Sequence, residues 1–254
     1  MNPMDGDSNL RILSLLDQKN YIHLYPLDIR EEIARHLKLM ELYPGKDSNY
    51  SLSDEKIYFP INAVFALTAP LSDGASTLVR FLGARDSFGV RPLSPYGKIE
   101  YRIELACGGH ALVMPDHKFW EIFSRALKKN EVVSFIYSIW VMTSFTNGTC
   151  AASHNSTQRL MRVLLSAQDA APKKSGVHLT HEKLSKYLNC RRETVSDTLK
   201  YFCDLGAIEM TRGVIKIVDI EKCESLSCLC YRAIRDFDDK IYNDSRSILS
   251  EVKL

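Results

Sequence analysis

The sequence predicts an α+β protein: short antiparallel strands in the N-terminal half, then a long helix and a C-terminal winged helix-turn-helix. Three observations predict this order. Short β-branched and aromatic runs separated by turns fill the region from Tyr43 to Met114, residues 131–154 keep one helical spacing throughout, and two short helices followed by a two-stranded hairpin fit Leu179–Val218.

The N-terminal half begins with a helical spacing of apolar residues from Leu10 to Leu39 and continues with strands. Turn signals such as Ser72-Asp73-Gly74 separate these strands, and strands at this spacing are typical of a barrel or a sandwich rather than of a parallel sheet. The predicted strands are Lys56–Phe59, Ala63–Thr68, Thr77–Leu82 and Arg102–Leu105.

The segment 131–154 is the longest helical pattern, and one of its faces carries a stripe in steps of four and three residues. This stripe packs either on the chain's own N-terminal domain or against a second copy, and we prefer the homodimer. The predicted interface residues are Val132, Ile136, Ile139, Thr143, Thr146 and Cys150. The chain then divides into a domain at 1–130, a dimerisation helix at 131–154 and a second domain at 155–254.

The segment Leu179–Phe202 has the pattern of two helices joined by a tight turn. Thr180 is a good N-cap for the first helix, and Asn189 tolerates the left-handed backbone of a sharp turn. In the second helix, Val195, Leu199 and Phe202 share one face and leave the polar residues on the other. In this motif the second helix enters the major groove of DNA.

Double-stranded DNA is the partner that these polar residues favour, because the second helix begins with side chains that suit guanine and cytosine. Residues 155–222 also carry 12 Lys and Arg against 8 Asp and Glu, although the whole chain has a net charge of only +2. The predicted DNA-binding residues are Thr180, Arg191, Arg192, Glu193, Thr194, Ser196, Asp197, Lys200 and, in the wing, Arg212.

The string LTHEKLSKYLNCRRETVSDTLKYFCDLGAIEMTRGVIKIVD resembles the bacterial Crp/Fnr transcription regulators. It fits their pattern of a threonine-capped helix, an R-E-T-V-S core and a G-x-I-x-I-x-D wing. A weaker likeness covers most of the remaining chain. The resemblance implies a cyclic-nucleotide-binding-like sensor domain that folds as an antiparallel, jelly-roll-like β-roll, a dimerisation helix and a winged helix that binds a palindromic promoter site. RNA polymerase is an implied partner.

The sequence departs from this family at the phosphate-binding cassette of the true cyclic-nucleotide binders. Where these have Phe-Gly-Glu, this chain has Phe88-Gly89-Val90, followed by Arg91, so the glutamate that would hold the ribose hydroxyl is missing. Arg102 either meets an anion or lies on the surface as an ordinary arginine. These five are the candidate effector residues, and control by cyclic AMP is not expected.

Cysteine chemistry offers two alternatives. No cysteine precedes Cys107, so the N-terminal iron–sulfur cluster of the oxygen-sensing branch is not expected. Cys223, Cys228 and Cys230 form the pattern C-x4-C-x-C. One interpretation is a functional site that binds metal or acts as a thiol switch, and the other is that the three residues are small buried side chains that pack the core. We favour packing, and predict no metal site and no cofactor.

Other classes of function find little support. The chain has no recognisable motif for catalysis, so no catalytic residue and no enzyme activity are predicted. It also has no apolar run of about 18 residues, which predicts a cytoplasmic protein with no membrane partner. The alternative to a sequence-specific regulator is an effector-sensing or interaction protein whose helix-turn-helix no longer reads a DNA sequence, a hypothesis suggested by Asp197 in the second helix.

Overall fold

The fold was analysed in a computed structural model, which describes residues 12–16, 20–43, 55–70, 76–89, 101–126, 131–171, 176–211 and 213–251. The side chains of residues 131–137 and 245–251 lie outside this description. The strands are β1 (Lys38–Leu42), β2 (Lys56–Pro60), β3 (Val64–Pro70), β4 (Ser76–Leu82), β5 (Arg102–Cys107), β6 (Gly109–Pro115), β7 (Val177–His178), β8 (Ile208–Thr211) and β9 (Val214–Ile217). The helices are α1 (Leu27–His36), α2 (Asp116–Ala126), α3 (Glu131–Ser153), α4 (Ser156–Ala170), α5 (His181–Leu188), α6 (Arg192–Asp204), α7 (Ile220–Leu226) and α8 (Cys230–Glu251), with a 3₁₀-helix at Tyr21–Leu24.

Two antiparallel sheets of three strands form the N-terminal half, in the orders β1-β6-β2 and β4-β3-β5. Both sheets contribute side chains to one buried cluster, which includes Tyr58 from β2, Phe65 from β3 and Leu105 from β5. Burial of apolar surface between the sheets stabilises this arrangement. The predicted α+β fold with an N-terminal antiparallel β-roll is confirmed.

The N-terminal helical prediction extended too far. Helix α1 ends at His36, and β1 begins at Lys38 and pairs with β6. The residues Lys38–Leu42 alternate in exposure less regularly than a typical strand, and only Leu42 is buried. Such an edge strand has only a weak period-two pattern, so the sequence prediction extended the helical spacing of apolar residues in α1 into β1.

The stripe predicted as the dimer interface is buried within the single chain. Ile139, Thr143, Thr146 and Cys150 are all at most 9% exposed, and α3 packs mainly against α8 and also against β4. This corrects the predicted face of α3, because these four side chains already have partners in their own protomer. Val132 and Ile136, the other two predicted interface residues, lie outside the described side chains.

The C-terminal half and the β-roll share a continuous apolar core. Leu78 and Phe81 of β4 belong to the same buried cluster as Leu164 of α4, Tyr187 of α5 and Phe202 of α6. The third sheet, β7-β9-β8, contributes Val177, Ile208 and Ile215 to this cluster, and its strand β7 contacts β5 of the β-roll. The described helices include none that is both long and apolar enough to span a membrane.

Candidate nucleic-acid interface

The first helix of the helix-turn-helix, α5, has the ends that its sequence predicts. The Thr180 hydroxyl accepts a 3.1 Å hydrogen bond from the backbone N–H of Lys183, which satisfies one of the free donors at the helix start. Asn189 ends the helix at φ 48° and ψ 55°, in the left-handed region. The turn that follows sets the direction of α6.

The second helix, α6, is held by its apolar face and presents its polar face outward. Val195, Leu199 and Phe202 are at most 1% exposed and belong to the shared core. The exposed residues at its start and along its outer face are Arg191, Arg192, Glu193, Asp197 and Lys200. Within the described part of the chain, none of these five side chains makes a hydrogen bond or an ion pair. They are therefore available to an external partner.

Asp197 forms no ion pair among the described residues, so neither Arg191 nor Lys200 neutralises it. Its carboxylate is exposed, and Glu193 and Lys200, four residues before and three residues after it, are its neighbours on the same face of α6. In contact with DNA, a carboxylate accepts hydrogen bonds from the cytosine amino group but is repelled by phosphates. This residue is thus the chemically unusual member of the exposed set.

Two other predicted DNA-binding residues have polar groups with partners inside the domain. Ser196 Oγ donates to the carbonyl of Arg192 at 3.1 Å and lies 2.8 Å from Nδ1 of His181. Thr194 is partly buried, and its carbonyl accepts a hydrogen bond from the Thr198 hydroxyl. His181 is half-buried, and its contact with Ser196 links the start of α5 to α6.

The wing is the hairpin of β8 and β9, in which Thr211 pairs with Val214. Gly213 lies in the connecting turn at φ +81°, a conformation that residues with a side chain rarely adopt. Arg212, the predicted wing contact, is outside the described residues. The exposed Thr211 marks the end of the hairpin that faces away from the core.

Helix α5 is docked directly on the β-roll. The Lys183 ammonium donates a 3.1 Å hydrogen bond to the carbonyl of Leu105 in β5. The rings of Phe81 and Tyr187 meet edge to face with centroids 6.0 Å apart, and the hydroxyl of Thr77 donates to the carbonyl of Tyr187 at 3.4 Å. These contacts connect β4 and β5 of the β-roll directly to the first helix of the helix-turn-helix.

Three of the candidate effector residues, Phe88, Gly89 and Arg102, belong to the described part of the chain. Phe88 is buried and stacks on Tyr58, and Gly89 accepts a 3.0 Å hydrogen bond from the Tyr101 hydroxyl. Arg102 is exposed, which favours the surface alternative, while Val90 and Arg91 lie outside the described residues. A cleft of about 790 Å³ lies elsewhere, between β4, α3, α4 and α8.

Polar and charged side chains from separate elements line this cleft. Arg80 forms a 2.9 Å ion pair with Asp86 on the β-roll side, and Arg85 pairs with Asp238 of α8 at 3.1 Å. Phe88, Gly89 and Arg102 are not among its lining residues. The cassette residues predicted from the sequence therefore lie in a different part of the β-roll from this cleft.

A second polar cluster was missed by the sequence analysis. Cys228 and Cys230 come together with Cys150 and His154, and their four ligand-type atoms all lie within 4.8 Å of one another. The hydrogen bond between two of these thiols lowers the pKa of Cys150 and raises that of Cys228. Cys223, which the sequence grouped with Cys228 and Cys230, instead donates to the carbonyl of Ala207.

The fold and the exposed face of α6 define a protein with a winged helix-turn-helix of the DNA-binding class. Residues 158–226 match the family model described as the Crp-like helix-turn-helix domain. No curated protein matches the sequence. Solved structures match over most of the chain at low identity, and they show the fold.

Three such structures have TM-scores above 0.5. A chain from Eubacterium rectale described as a transcriptional regulator of the Crp/Fnr family has a TM-score of 0.55 at 18% identity, over 79% of this chain and 94% of that one. FixK2 from Bradyrhizobium japonicum has a TM-score of 0.56 at 14% identity, over 76% of this chain and 96% of that one. The c-di-GMP-responsive regulator CLP from Xanthomonas campestris has a TM-score of 0.52 at 13% identity, over 76% of this chain and 99% of that one. The chain thus carries a Crp-like helix-turn-helix domain, and its fold is similar to that of solved transcription regulators, among them one described as a member of the Crp/Fnr family.

Proposed function

We propose that this protein regulates transcription by binding an inverted-repeat promoter site as a homodimer, without catalysing a reaction. The observation that carries the proposal is the outer face of α6, where five charged side chains are exposed and have no partner among the described residues. An unpaired charge is costly when it is buried. Exposed unpaired charges are instead free to exchange their bound water for phosphates and base edges.

The five side chains have different proposed roles. Arg192 and Glu193 lie at the start of α6, which in this motif approaches the base edges, and they suit guanine and cytosine respectively. Arg191 and Lys200 bind phosphates, together with Arg212 in the wing. Asp197 sets or relaxes the preference at one base pair of each half-site. Thr180 and Ser196 support the surface through the contacts of their hydroxyls, and Thr194 through its carbonyl, which accepts a hydrogen bond from Thr198.

The dimer is proposed to form through the outer face of α3, in place of the buried stripe. Phe145 is 71% exposed at its centre. The residues Ser138, Met142, Phe145, Thr149 and Ala152 follow one another in alternating steps of four and three and are exposed or half-buried. That spacing forms a continuous seam along a helix that pairs with another helix. Two copies joined there would present their α6 helices to successive major grooves about 34 Å apart.

The signal that controls binding is proposed not to be cyclic AMP. The cassette has Val90 where a carboxylate would be needed, and Arg102 is exposed. The resemblance to the Crp/Fnr regulators further suggests RNA polymerase as a partner at the promoter, and a place of action in the cytoplasm with the bacterial chromosome.

The alternative is a sensor or interaction protein whose helix-turn-helix does not read a sequence. Asp197 favours it, because a carboxylate on the groove-facing side opposes binding to any phosphate-lined groove. A sequence-specific regulator differs from this alternative in the ratio of its specific to its non-specific DNA affinity, which for known regulators is about a thousandfold or more.

The test is a binding-site selection from random DNA with the full chain, followed by anisotropy titrations at two salt concentrations. We expect an enriched inverted repeat that binds at least about a hundredfold more tightly than a scrambled duplex of the same composition. Equal affinities for the two duplexes, with a normal salt dependence, would support the alternative. No binding to either duplex would contradict both the regulator and its proposed DNA interface.

A further inference from the structure

Three thiols and one imidazole meet where the end of α3 contacts the start of α8. Cys150 and His154 are one helical turn apart, and the N–H of His154 donates to the carbonyl of Cys150 at 3.1 Å, so both side chains point from the same edge. Cys228 and Cys230 flank Leu229 at the beginning of α8. Cys150 and Cys228 are buried, and His154 and Cys230 are half-buried.

Two of the six separations among the four ligand-type atoms are those of a tetrahedral site, and all six are at most 4.8 Å. The Sγ atoms of Cys150 and Cys228 are 3.5 Å apart, and Sγ of Cys230 is 3.6 Å from Nδ1 of His154. Zinc with Zn–S bonds of about 2.3 Å and Zn–N bonds of about 2.0 Å in tetrahedral geometry separates its ligand atoms by roughly 3.5 to 3.8 Å. A single ion therefore fits among the four atoms with only small side-chain movements.

We propose that Cys150, His154, Cys228 and Cys230 bind one Zn²⁺ ion in a Cys₃His site. Thiolate and imidazole ligands select zinc over the oxygen-preferring Mg²⁺ and Ca²⁺. Four protein ligands fill a tetrahedral shell and leave no position for a substrate, so the site is structural rather than catalytic. An iron–sulfur cluster of the common type would instead need four thiolates.

A buried positive charge stands beside the site. The guanidinium of Arg162 is 8% exposed, acts electrostatically on all three thiols, and donates a 2.8 Å hydrogen bond to the side chain of Asn147. Three thiolates, a neutral imidazole and Zn²⁺ carry a net charge of −1, which Arg162 balances. A buried cation is costly without such a counter-charge, and no ion pair of Arg162 with a carboxylate occurs within the described residues.

The proposed ion joins the end of the long helix α3 to the start of the C-terminal helix α8. His154 is the residue between α3 and α4, since Asn155 is the N-cap of α4. Cys228 and Cys230 belong to the start of α8, which packs along α3 and reaches the 3₁₀-helix of the N-terminal region. Zinc would fix the junction of the long helix and the DNA-binding domain to the C-terminal helix. Because the ligand set exists only in the folded chain, binding adds to the stability of the fold.

The test uses the full chain without an affinity tag, expressed with added zinc and purified under reducing conditions, and measures metal by mass spectrometry. We expect about one zinc per chain in the wild type and a loss of at least about tenfold in Cys150→Ser and Cys228→Ser. Cys223→Ser is the matched control, because Cys223 is equally buried but lies outside the cluster, and it should keep its zinc. Circular dichroism checks that each variant is folded.

A second pair of variants keeps the proposal testable if the serine variants fail to fold. His154→Cys should retain one metal ion, because thiolate replaces imidazole, whereas His154→Ala should bind more weakly. Reconstitution with Co²⁺ should give the intense visible bands of a tetrahedral thiolate site, and these should differ between the wild type and His154→Cys. The proposal is overturned if the wild type binds neither metal under reducing conditions, if Cys228→Ser retains zinc fully, or if the isolated protein instead contains a Cys150–Cys228 disulfide.

Discussion

The hydroxyl of Tyr21 donates a 2.7 Å hydrogen bond to the carboxylate of Asp238, which joins residues more than 200 positions apart in the chain. Burial and the Asp238 charge both raise the pKa of Tyr21, so it remains a donor at neutral pH. Arg85 binds the same carboxylate at 3.1 Å and lies over the ring of Tyr242. The C-terminal helix is thus attached to the N-terminal region.

The first prediction concerns this contact. Tyr21→Phe should lower the free energy of unfolding by about 1.5 to 3 kcal/mol, because the lost hydrogen bond is made to the Asp238 carboxylate, which keeps Arg85. Urea denaturation followed by circular dichroism measures the change. Asp236→Ala, on the exposed side of the same helix, is the control and should change stability by less than about 0.5 kcal/mol. Equal midpoints for Tyr21→Phe and the wild type would contradict the role of this bond.

The second prediction concerns the contact between the β-roll and the helix-turn-helix. Phe81 and Tyr187 are at most 5% exposed and meet edge to face, so Phe81→Ala should cost about 3 to 5 kcal/mol through lost burial and a cavity. Phe81→Leu, which keeps most of the volume, should cost clearly less. A cost for Phe81→Ala as small as that of an exposed substitution would mean that the two parts of the chain are not packed together in solution.

The helix-turn-helix could be predicted from the sequence because its signals are local. The cap at Thr180, the left-handed Asn189 and the buried spacing of Val195, Leu199 and Phe202 each depend on residues within one or two turns. The structure confirms all of them. Nothing in these signals requires knowledge of where the rest of the chain lies.

The face of α3 and the thiol cluster could not be predicted in this way, because both depend on α8. Two stripes on α3 have a heptad-like spacing, one through Thr143 and one through Phe145, and α8 packs on the first. Cys150 and Cys228 are separated by 78 positions, so no local spacing relates them. The C-x4-C-x-C pattern instead suggested Cys223, whose side chain faces Ala207.

The third prediction tests the dimer. Phe145→Glu should shift the chain from dimer to monomer at micromolar concentration, because two carboxylates would be buried opposite each other at the centre of the proposed seam. Sedimentation equilibrium measures the mass. Ser144→Glu, next to Phe145 and exposed on a different side of α3, is the control and should remain dimeric. A wild-type chain that sediments as a monomer would rule out the proposed interface.

The fourth prediction is that cyclic AMP binds weakly or not at all. A ribose hydroxyl without its carboxylate partner loses a charge-assisted hydrogen bond, about 1.5 to 3 kcal/mol, which corresponds to roughly ten- to a hundredfold in affinity. Calorimetric titration of the wild type and of Val90→Glu, which introduces the carboxylate, measures this. A low-micromolar or tighter dissociation constant for the wild type would contradict the prediction.

The last prediction concerns the sequence that α6 reads. Arg192 is exposed at the start of the helix without an ion-pair partner among the described residues, so Arg192→Ala should weaken binding to the selected site by about 1 to 3 kcal/mol and relax specificity at one base pair. Lys200→Ala and Arg212→Ala should weaken binding to all sequences and reduce the salt dependence, because each removes a phosphate contact. Anisotropy titrations of selected and scrambled duplexes at several salt concentrations distinguish the two effects.

Asp197 provides the sharpest form of this test, because its charge is opposite to that of the arginine usually found there in the family that the sequence resembles. Asp197→Arg should strengthen non-specific binding, since a repulsion becomes an attraction to phosphate, and it should change the selected base at one position of each half-site toward guanine. Asp197→Asn, which removes the charge but keeps the size, separates the two contributions: it should strengthen non-specific binding without selecting guanine. If binding-site selection returns the same sequence for the wild type and Asp197→Arg, then Asp197 does not face the bases, and the proposed orientation of α6 in the groove is wrong.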